Sequence, residues 1–319
     1  MSASRLGIVA GFGAIYLFWG ATFLAIRYAV VEVPPLFTIA IRCVCGALLL
    51  YVWLLWRRGL ERTTLSQWLT SAVAGGFLFV GCHGVLAWAE QRVSSGQAAL
   101  FLTCIPLWLV LITSVKERRV PSGAVIVGLI LGVLGVSLLA RGNGDTSGTL
   151  VDRLALVGSG LSWAVGSMIG RHGARPSSAT QSTAMQLGAG GVAVLALSLV
   201  TGELARWSPA HLTTRGGLAL AFLVLAGTVL GFGAYTWLLR VATAAAVGTY
   251  AFVNPVVALA LAWIVGDEAF SWRTIGAAAL VLGAVMLIWK SSRRSSRQER
   301  EHLPQVHLPQ QRLESRALP

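Results

Sequence analysis

The sequence predicts an all-α, polytopic membrane protein of ten transmembrane helices, arranged as two inverted five-helix repeats with both termini cytoplasmic. Three observations carry that expectation. Charged residues make up only 12% of the 319 and hydrophobic residues 55%, against roughly a quarter charged in ordinary soluble domains, so no aqueous fold could hide this much apolar surface. The apolar residues gather into ten runs, each close to the ~20 residues that cross a hydrocarbon core of ~30 Å. The chain also repeats itself at spacings of 144 to 149 residues.

The first run, 8–27, lacks a small-residue cleavage site and leads into a second span, so it reads as a retained helix and not a removed signal peptide. Span 2 covers 36–56 and is interrupted by one charge, Arg42. Span 3, 67–88, carries His83 and ends beside Glu90. Span 4, 95–115, holds Pro106 in its middle, where a missing backbone N–H bends a helix. Span 5 is 121–140, span 6 is 152–171, span 7 is 180–200 with Gln186, and span 8 is 217–239. Span 9, 244–265, has Pro255 in the position matching Pro106. Span 10 is 272–290. Gly7/Gly11, Gly128/Gly132, Gly166/Gly170 and Gly227/Gly231 have the four-residue spacing that lets helix backbones approach in lipid. The repeats are expected at 1–144 and 145–290. Residues 291–319, rich in Ser, Arg, Gln and Pro, are expected to be a disordered basic tail, since they have little apolar surface to offset the entropy of ordering.

A net charge of +13 would suggest nucleic acid in a soluble protein. Here the arginines sit between apolar runs, which points to lipid headgroups and topology and to no nucleic-acid partner. With a cytoplasmic N-terminus, 17 of the 25 Lys and Arg fall on the inner side, including Arg57, Arg58, Arg62, Lys116, Arg171, Arg175 and the tail. Excess Lys and Arg marks cytoplasmic loops, so the chain is expected in the inner (plasma) membrane with both ends inside. The tail cluster Lys290, Arg293, Arg294 and Arg297 is read either as a topology anchor or as a contact with anionic lipid, worth on the order of 1 kcal/mol per charge. Cys43, Cys45, Cys82 and Cys104 all fall within spans, and no disulfide is expected.

The internal repeat has two registers. A shift of 144 takes Trp19 to Trp163, Arg27 to Arg171, Arg42 to Gln186 and Gly46 to Gly190. A shift of 149 takes Gly84 to Gly233, Trp88 to Trp237 and Pro106 to Pro255, and one of 148 takes Gly128 to Gly276 and Gly135 to Gly283. With five spans in each half, the second copy enters the membrane in the opposite orientation. Halves related by an axis in the membrane plane place a solute site between them near the midplane.

Tyr16-x-x-Trp19-Gly20-Ala21-Thr22-Phe23, Pro34-Pro35, Arg42, Ser162-Trp163-Ala164-x-Gly166-Ser167 and Thr249-Tyr250-Ala251-Phe252-Val253-Asn254-Pro255-Val256-Val257, with Glu268 following, resemble EamA-domain permeases of the drug/metabolite transporter superfamily. The resemblance covers roughly residues 8–290. It implies ten helices, a central cavity lined by helices 1 to 4 and 6 to 9, and export of amino acids, metabolites or drug-like compounds.

Arg42 is the most informative single residue. A charge in hydrocarbon costs at least ~2.5 kcal/mol on insertion scales, so it must face water or a partner. Its planar fork suits a substrate carboxylate, and the alternatives are snorkelling to the outer headgroups or pairing with Glu32 or Glu90. Gln186 is its repeat counterpart. His83 and Glu90, seven residues apart, share one helix face. A coupling proton carried there is weighed against a neutral His83 hydrogen-bonded within the bundle. Trp19 with Thr22, and Trp163 with Gly166, suit the wall of a cavity for an amphipathic solute. Trp56, Trp68, Trp207 and Trp289 read as interfacial belts. Tyr235, Tyr250 and Asn254 are further candidates. There is no HExxH, G-x-S-x-G, paired Asp or P-loop Lys, so no enzyme, cofactor or metal is expected. With no ATP-hydrolysing domain, transport must draw on an ion gradient or on the solute's own. The expected partners are a small-molecule substrate and the bilayer, and a monomer suffices. A lipid flippase or a non-transporting scaffold subunit is the alternative.

Overall fold

The computed structural model describes residues 4–118, 120, 123–140, 148–242, 247, 250–266 and 272–301, and no strand occurs among them. The helices are α1 Arg5–Glu32, α2 Pro35–Trp56, α3 Leu65–Ala89, α4 Ser95–Lys116, α5 Gly123–Ala140, α6 Leu150–His172, α7 Ala179–Val200, α8 Thr214–Tyr235, α9 Tyr250–Ile264 and α10 Trp272–Glu301. Six of them, α1 to α4, α7 and α8, are long and apolar enough to cross a membrane. α6 has the length, but it opens on Asp152-Arg153 and closes on Arg171-His172.

Side chains set where the helices begin. Ser4, Ser94, Ser178 and Thr213 accept from backbone N–H groups at the starts of α1, α4, α7 and α8. Thr64 with Gln67, and Thr149 with Asp152, form capping boxes at α3 and α6. α2 opens on Pro35, whose missing N–H costs nothing in a first turn.

α2 lies along α7 and α5 along α10, while α1 packs on α8 and α9 and α6 on α3 and α4. The seams are built from small residues: Ala25, Ala29, Ala40, Ala47, Ala74, Ala98 and Ala184 are all buried. Larger apolar side chains, such as Leu48, Val52, Trp53 and Trp56 of α2, point outward. In lipid this arrangement lets packing and not apolar burial hold the helices together. Gly46 of α2 seats Thr228 of α8, and Gly190 of α7 seats the Phe79 ring of α3. Of the four-residue glycine pairs, Gly7 and Gly11 both receive Trp237, while Gly231 receives the Trp19 indole.

Three features depart from the sequence reading. First, α3 and α8 are not plain α-helices: Gly76–Gly84 and Leu223–Leu230 are π-helical. The wider turn exposes carbonyls to groups five residues on, and His83 Nδ1 bonds Leu78 O while Thr228 Oγ1 donates to Leu223 O. Second, Pro106 does not sit inside a bent helix. α4 is interrupted at Thr103 and Cys104, and Pro106 falls in the first turn of the segment Ile105–Glu117, where proline is accommodated. Pro255 does lie inside α9. Third, the expected disorder from 291 is corrected as far as 301, because α10 continues to Glu301. No Gly or Pro interrupts 291–301, and Arg, Gln and Glu are good helix formers. Trp207 is also more than a belt residue: it packs on Phe37 and donates to Glu32 O at 3.0 Å. Thr249, Glu268 and residues 302–319 lie outside the described residues.

Candidate functional site

Arg42 enters the bundle seven residues into α2, about 10 Å along the axis from Pro35 at 1.5 Å per residue. It is 2% exposed, so it does not snorkel. Its Nε donates to Thr228 Oγ1 at 2.7 Å, and Nη1 is buried without a hydrogen-bond partner. Glu32 is not its partner: both Glu32 oxygens are held by Thr213, through the backbone N–H and the hydroxyl of that helix cap. Glu90 and His83 lie within electrostatic reach of Arg42. An unmet donor on a permanent cation in the membrane interior is a place where an anion would be stabilised.

The α8 turn that holds Arg42 also holds Trp19 and borders Thr22. Trp19 Nε1 donates to Gly227 O at 3.1 Å, and Thr22 donates to Phe18 O. A Cβ placed at Gly227 would lie 3.3 Å from Thr22 Oγ1 and 3.9 Å from Arg42 Nη2. Trp19, Thr22 and Arg42 therefore converge on one glycine.

From Trp19 an aromatic circuit closes through the bundle centre. Trp19 meets Phe232, Tyr235 and Tyr250 with ring centroids 5.3, 5.2 and 5.1 Å apart. Trp163 lies beside the Tyr250 side chain and stands edge-on to His83 at 5.2 Å. His83 stacks on Phe79 at 5.6 Å, and Phe79 returns to Phe232 at 6.4 Å. Asn254 follows Tyr250 by one turn of α9, is 7% exposed, and has no hydrogen-bond partner for Oδ1. The circuit thus joins α1, α3, α6, α8 and α9. Because a carbonyl only accepts, the bond to Leu78 O places a proton on His83 Nδ1.

Two candidates lie apart from this centre. Gln186 bonds Ser182 Oγ at 3.4 Å and fills the space beside Gly170, on the α6–α7 seam. Glu90 is completely buried at the end of α3, and its carbonyl accepts from the Arg27 guanidinium. Thr228, Phe79 and Phe232 went unremarked in the sequence, and Gly227 was noted only as a packing glycine, because hydroxyl, glycine and phenylalanine residues are ordinary in apolar spans. The repeat shift of 149, which takes Phe79 to Thr228, was the signal that could have found that pair. The four cysteines are free, and among the described residues no cluster of His, Cys, Asp or Glu could hold a metal ion.

Carboxylates tie the helix ends on the side where α1 ends and α2 begins. Arg92 bonds Asp152 through Nε at 3.0 Å and Nη2 at 2.6 Å, while its guanidinium stacks over Trp88 at 4.3 Å. The bond to Asp152 holds the Arg92 guanidinium above its already high ordinary range, so the cation persists at any working pH. Glu203 accepts from the N–H groups of Leu36 and Phe37 at the start of α2. Between these ties opens a cleft of about 470 Å3 bordered by Val31, Pro34, Trp88, Gln91, Arg206 and His211.

The family model for the EamA-like transporter family matches the chain twice, over residues 5–141 and 153–290. The uncharacterized inner membrane transporter YedA of Escherichia coli K12 is 31% identical over 282 residues, covering 86% of this chain and 88% of that protein. The uncharacterized transporter YoaV of Bacillus subtilis is 23% identical over 296 residues, covering 90% and 98%. A solved crystal structure superposes with a TM-score of 0.63 at 20% identity, covering 92% of this chain and 99% of that one, a likeness of fold. With two family matches along nearly its whole length and a relative of this similarity, the chain belongs to the EamA-like transporter family.

Proposed function

We propose that this chain is an inner-membrane transporter that moves small amphipathic solutes bearing a carboxylate, by alternating access between two inverted five-helix halves. Export of amino acids, other metabolites or drug-like compounds is the form of transport the family suggests, and YedA is itself named an inner membrane transporter. The inverted architecture draws support from contacts made twice. Gly46 seats Thr228 and Gly190 seats Phe79, and the shifts of 144 and 149 exchange those two contacts. The π-helical stretches of α3 and α8 overlap under the same shift. In each half a core helix donates to such a stretch, Trp19 to Gly227 O and Ser162 to Phe77 O.

One observation carries the solute class: Arg42 is buried among membrane helices with Nη1 unmet, beside aromatic rings that suit an apolar body. His83 and Glu90, within reach of that charge, are the candidates for a coupling proton. Cells overproducing the protein should resist at least one toxic carboxylate-bearing compound in a screen of amino-acid analogues, organic acids and drugs. Arg42→Lys and Arg42→Gln should abolish that resistance at equal membrane levels, since Lys lacks the planar fork and Gln the charge. Resistance unchanged in both variants would remove Arg42 from the site.

A further inference from the structure

Thr228 and Gly227 both lie in the π-helical stretch Leu223–Leu230 of α8. A guanidinium can hold a carboxylate on either of two edges, Nε with Nη2 or Nη1 with Nη2. In Arg42 the first edge is closed, because Nε is occupied by Thr228 Oγ1 at 2.7 Å. That hydroxyl spends its own hydrogen on Leu223 O at 2.8 Å, so it meets Arg42 purely as an acceptor. Gly46 of α2 leaves the space in which the Thr228 side chain sits. The second edge retains the unmet Nη1, and Nη2 borders Gly227, whose carbonyl anchors the Trp19 indole.

Resting on the reading of Arg42 as the anion-binding residue, we propose that Thr228 is its positioning residue, turning the Nη1–Nη2 edge toward the space beside Gly227, and that a monocarboxylate with a planar apolar body is held there. The carboxylate takes both N–H groups of that edge, and the body lies against Trp19. A π-turn is what makes this possible: it brings the Leu223 carbonyl within reach of a hydroxyl five residues later, which fixes that hydroxyl's lone pair toward α2.

The test uses the purified full-length protein, with phenylacetate as probe, phenylacetamide as its uncharged counterpart, and calorimetric binding as readout. Wild type and Thr228→Ser should bind phenylacetate and discriminate against the amide. Thr228→Val keeps the shape but loses the acceptor, so it should weaken phenylacetate binding about tenfold, as removal of one charge-assisted hydrogen bond does. Gly227→Ala, which places a methyl beside Nη2, should weaken it similarly, and it decides the matter should the valine variant fail to fold. A purely structural role for Thr228 would alter melting temperature while leaving the preference for phenylacetate over the amide untouched. Wild-type binding by folded Thr228→Val, or by Gly227→Ala in its place, with binding lost in Arg42→Gln, would overturn the positioning role and leave Arg42 in the site. Wild-type binding by Arg42→Gln, or no binding of phenylacetate by the wild type, would overturn both.

Discussion

A single methyl group separates tolerated from damaging changes in this bundle, and two adjacent glycines show it. A Cβ at Gly75 would come within 2.5 Å of Gln186 O and 2.9 Å of Gly190 N, so backbone would have to move away from backbone. At Gly76 a Cβ would meet nothing within 4 Å. Gly75→Ala should therefore destabilise the protein by about 1–3 kcal/mol, the usual cost of overpacking. Gly76→Ala should be neutral or slightly stabilising, since Ala loses less backbone freedom than Gly on folding. Thermal unfolding of both variants in one detergent checks this, and equal midpoints would contradict the α3–α7 contact. The difference between these glycines is invisible in the sequence, where they are neighbours of the same type. Arg42, by contrast, was legible because one charge in an apolar run has few places to go.

Helix ends in this fold are joined across the two halves by acids, and the Arg92–Asp152 bridge is the tie whose carboxylate is buried. Asp152 is 1% exposed, and besides Arg92 it accepts from Thr149 N–H at 2.7 Å and from the Thr149 hydroxyl at 2.8 Å. It therefore closes the capping box of α6 while holding the α3–α4 loop of the other half. Arg92→Ala would leave that buried carboxylate with its cap alone and should cost about 1–3 kcal/mol. Thr149→Ala, losing a cap, should cost about 1 kcal/mol. A double-mutant cycle of Arg92→Ala with Asp152→Asn should show strong coupling, and additive losses would mean the bridge contributes nothing. At this scale the helix caps were within reach of the sequence, and the apolar runs gave the helices near their observed places. The π-helical stretches were not, because their hydrogen-bond shift answers to partners such as Trp19 and Ser162, which are far away in the chain.

For the molecule as a whole, the repeat was legible because it fixes residue types at matched positions. Which matched residues share a site was not, because that depends on where the halves meet. Arg42 and Gln186 are repeat partners, yet Arg42 faces α8 while Gln186 faces the α6–α7 seam. Trp19 and Trp163 are also repeat partners, and both belong to the aromatic circuit: Trp19 meets Tyr250 at 5.1 Å and Trp163 meets His83 at 5.2 Å between ring centroids. Trp19 is 9% exposed, so the aromatic circuit shuts the centre in the arrangement seen here. If the two halves exchange conformations, that circuit must part to admit a solute, and the solute then replaces ring contacts on both flanks at once. Cysteines placed singly at Trp19, Thr22, Trp163 and Ser167 report on this, in a background where Cys43, Cys45, Cys82 and Cys104 are replaced and transport persists. Each should react slowly with a small polar thiol reagent, at a rate set by opening. A compound identified in the resistance screen should slow the reaction at positions 19 and 163 together, because one bound molecule covers both. Protection at neither, in vesicles that transport the compound, would place the pathway elsewhere in the bundle. Protection at position 19 alone would confine the site to the Arg42 side and leave Trp163 as packing for His83.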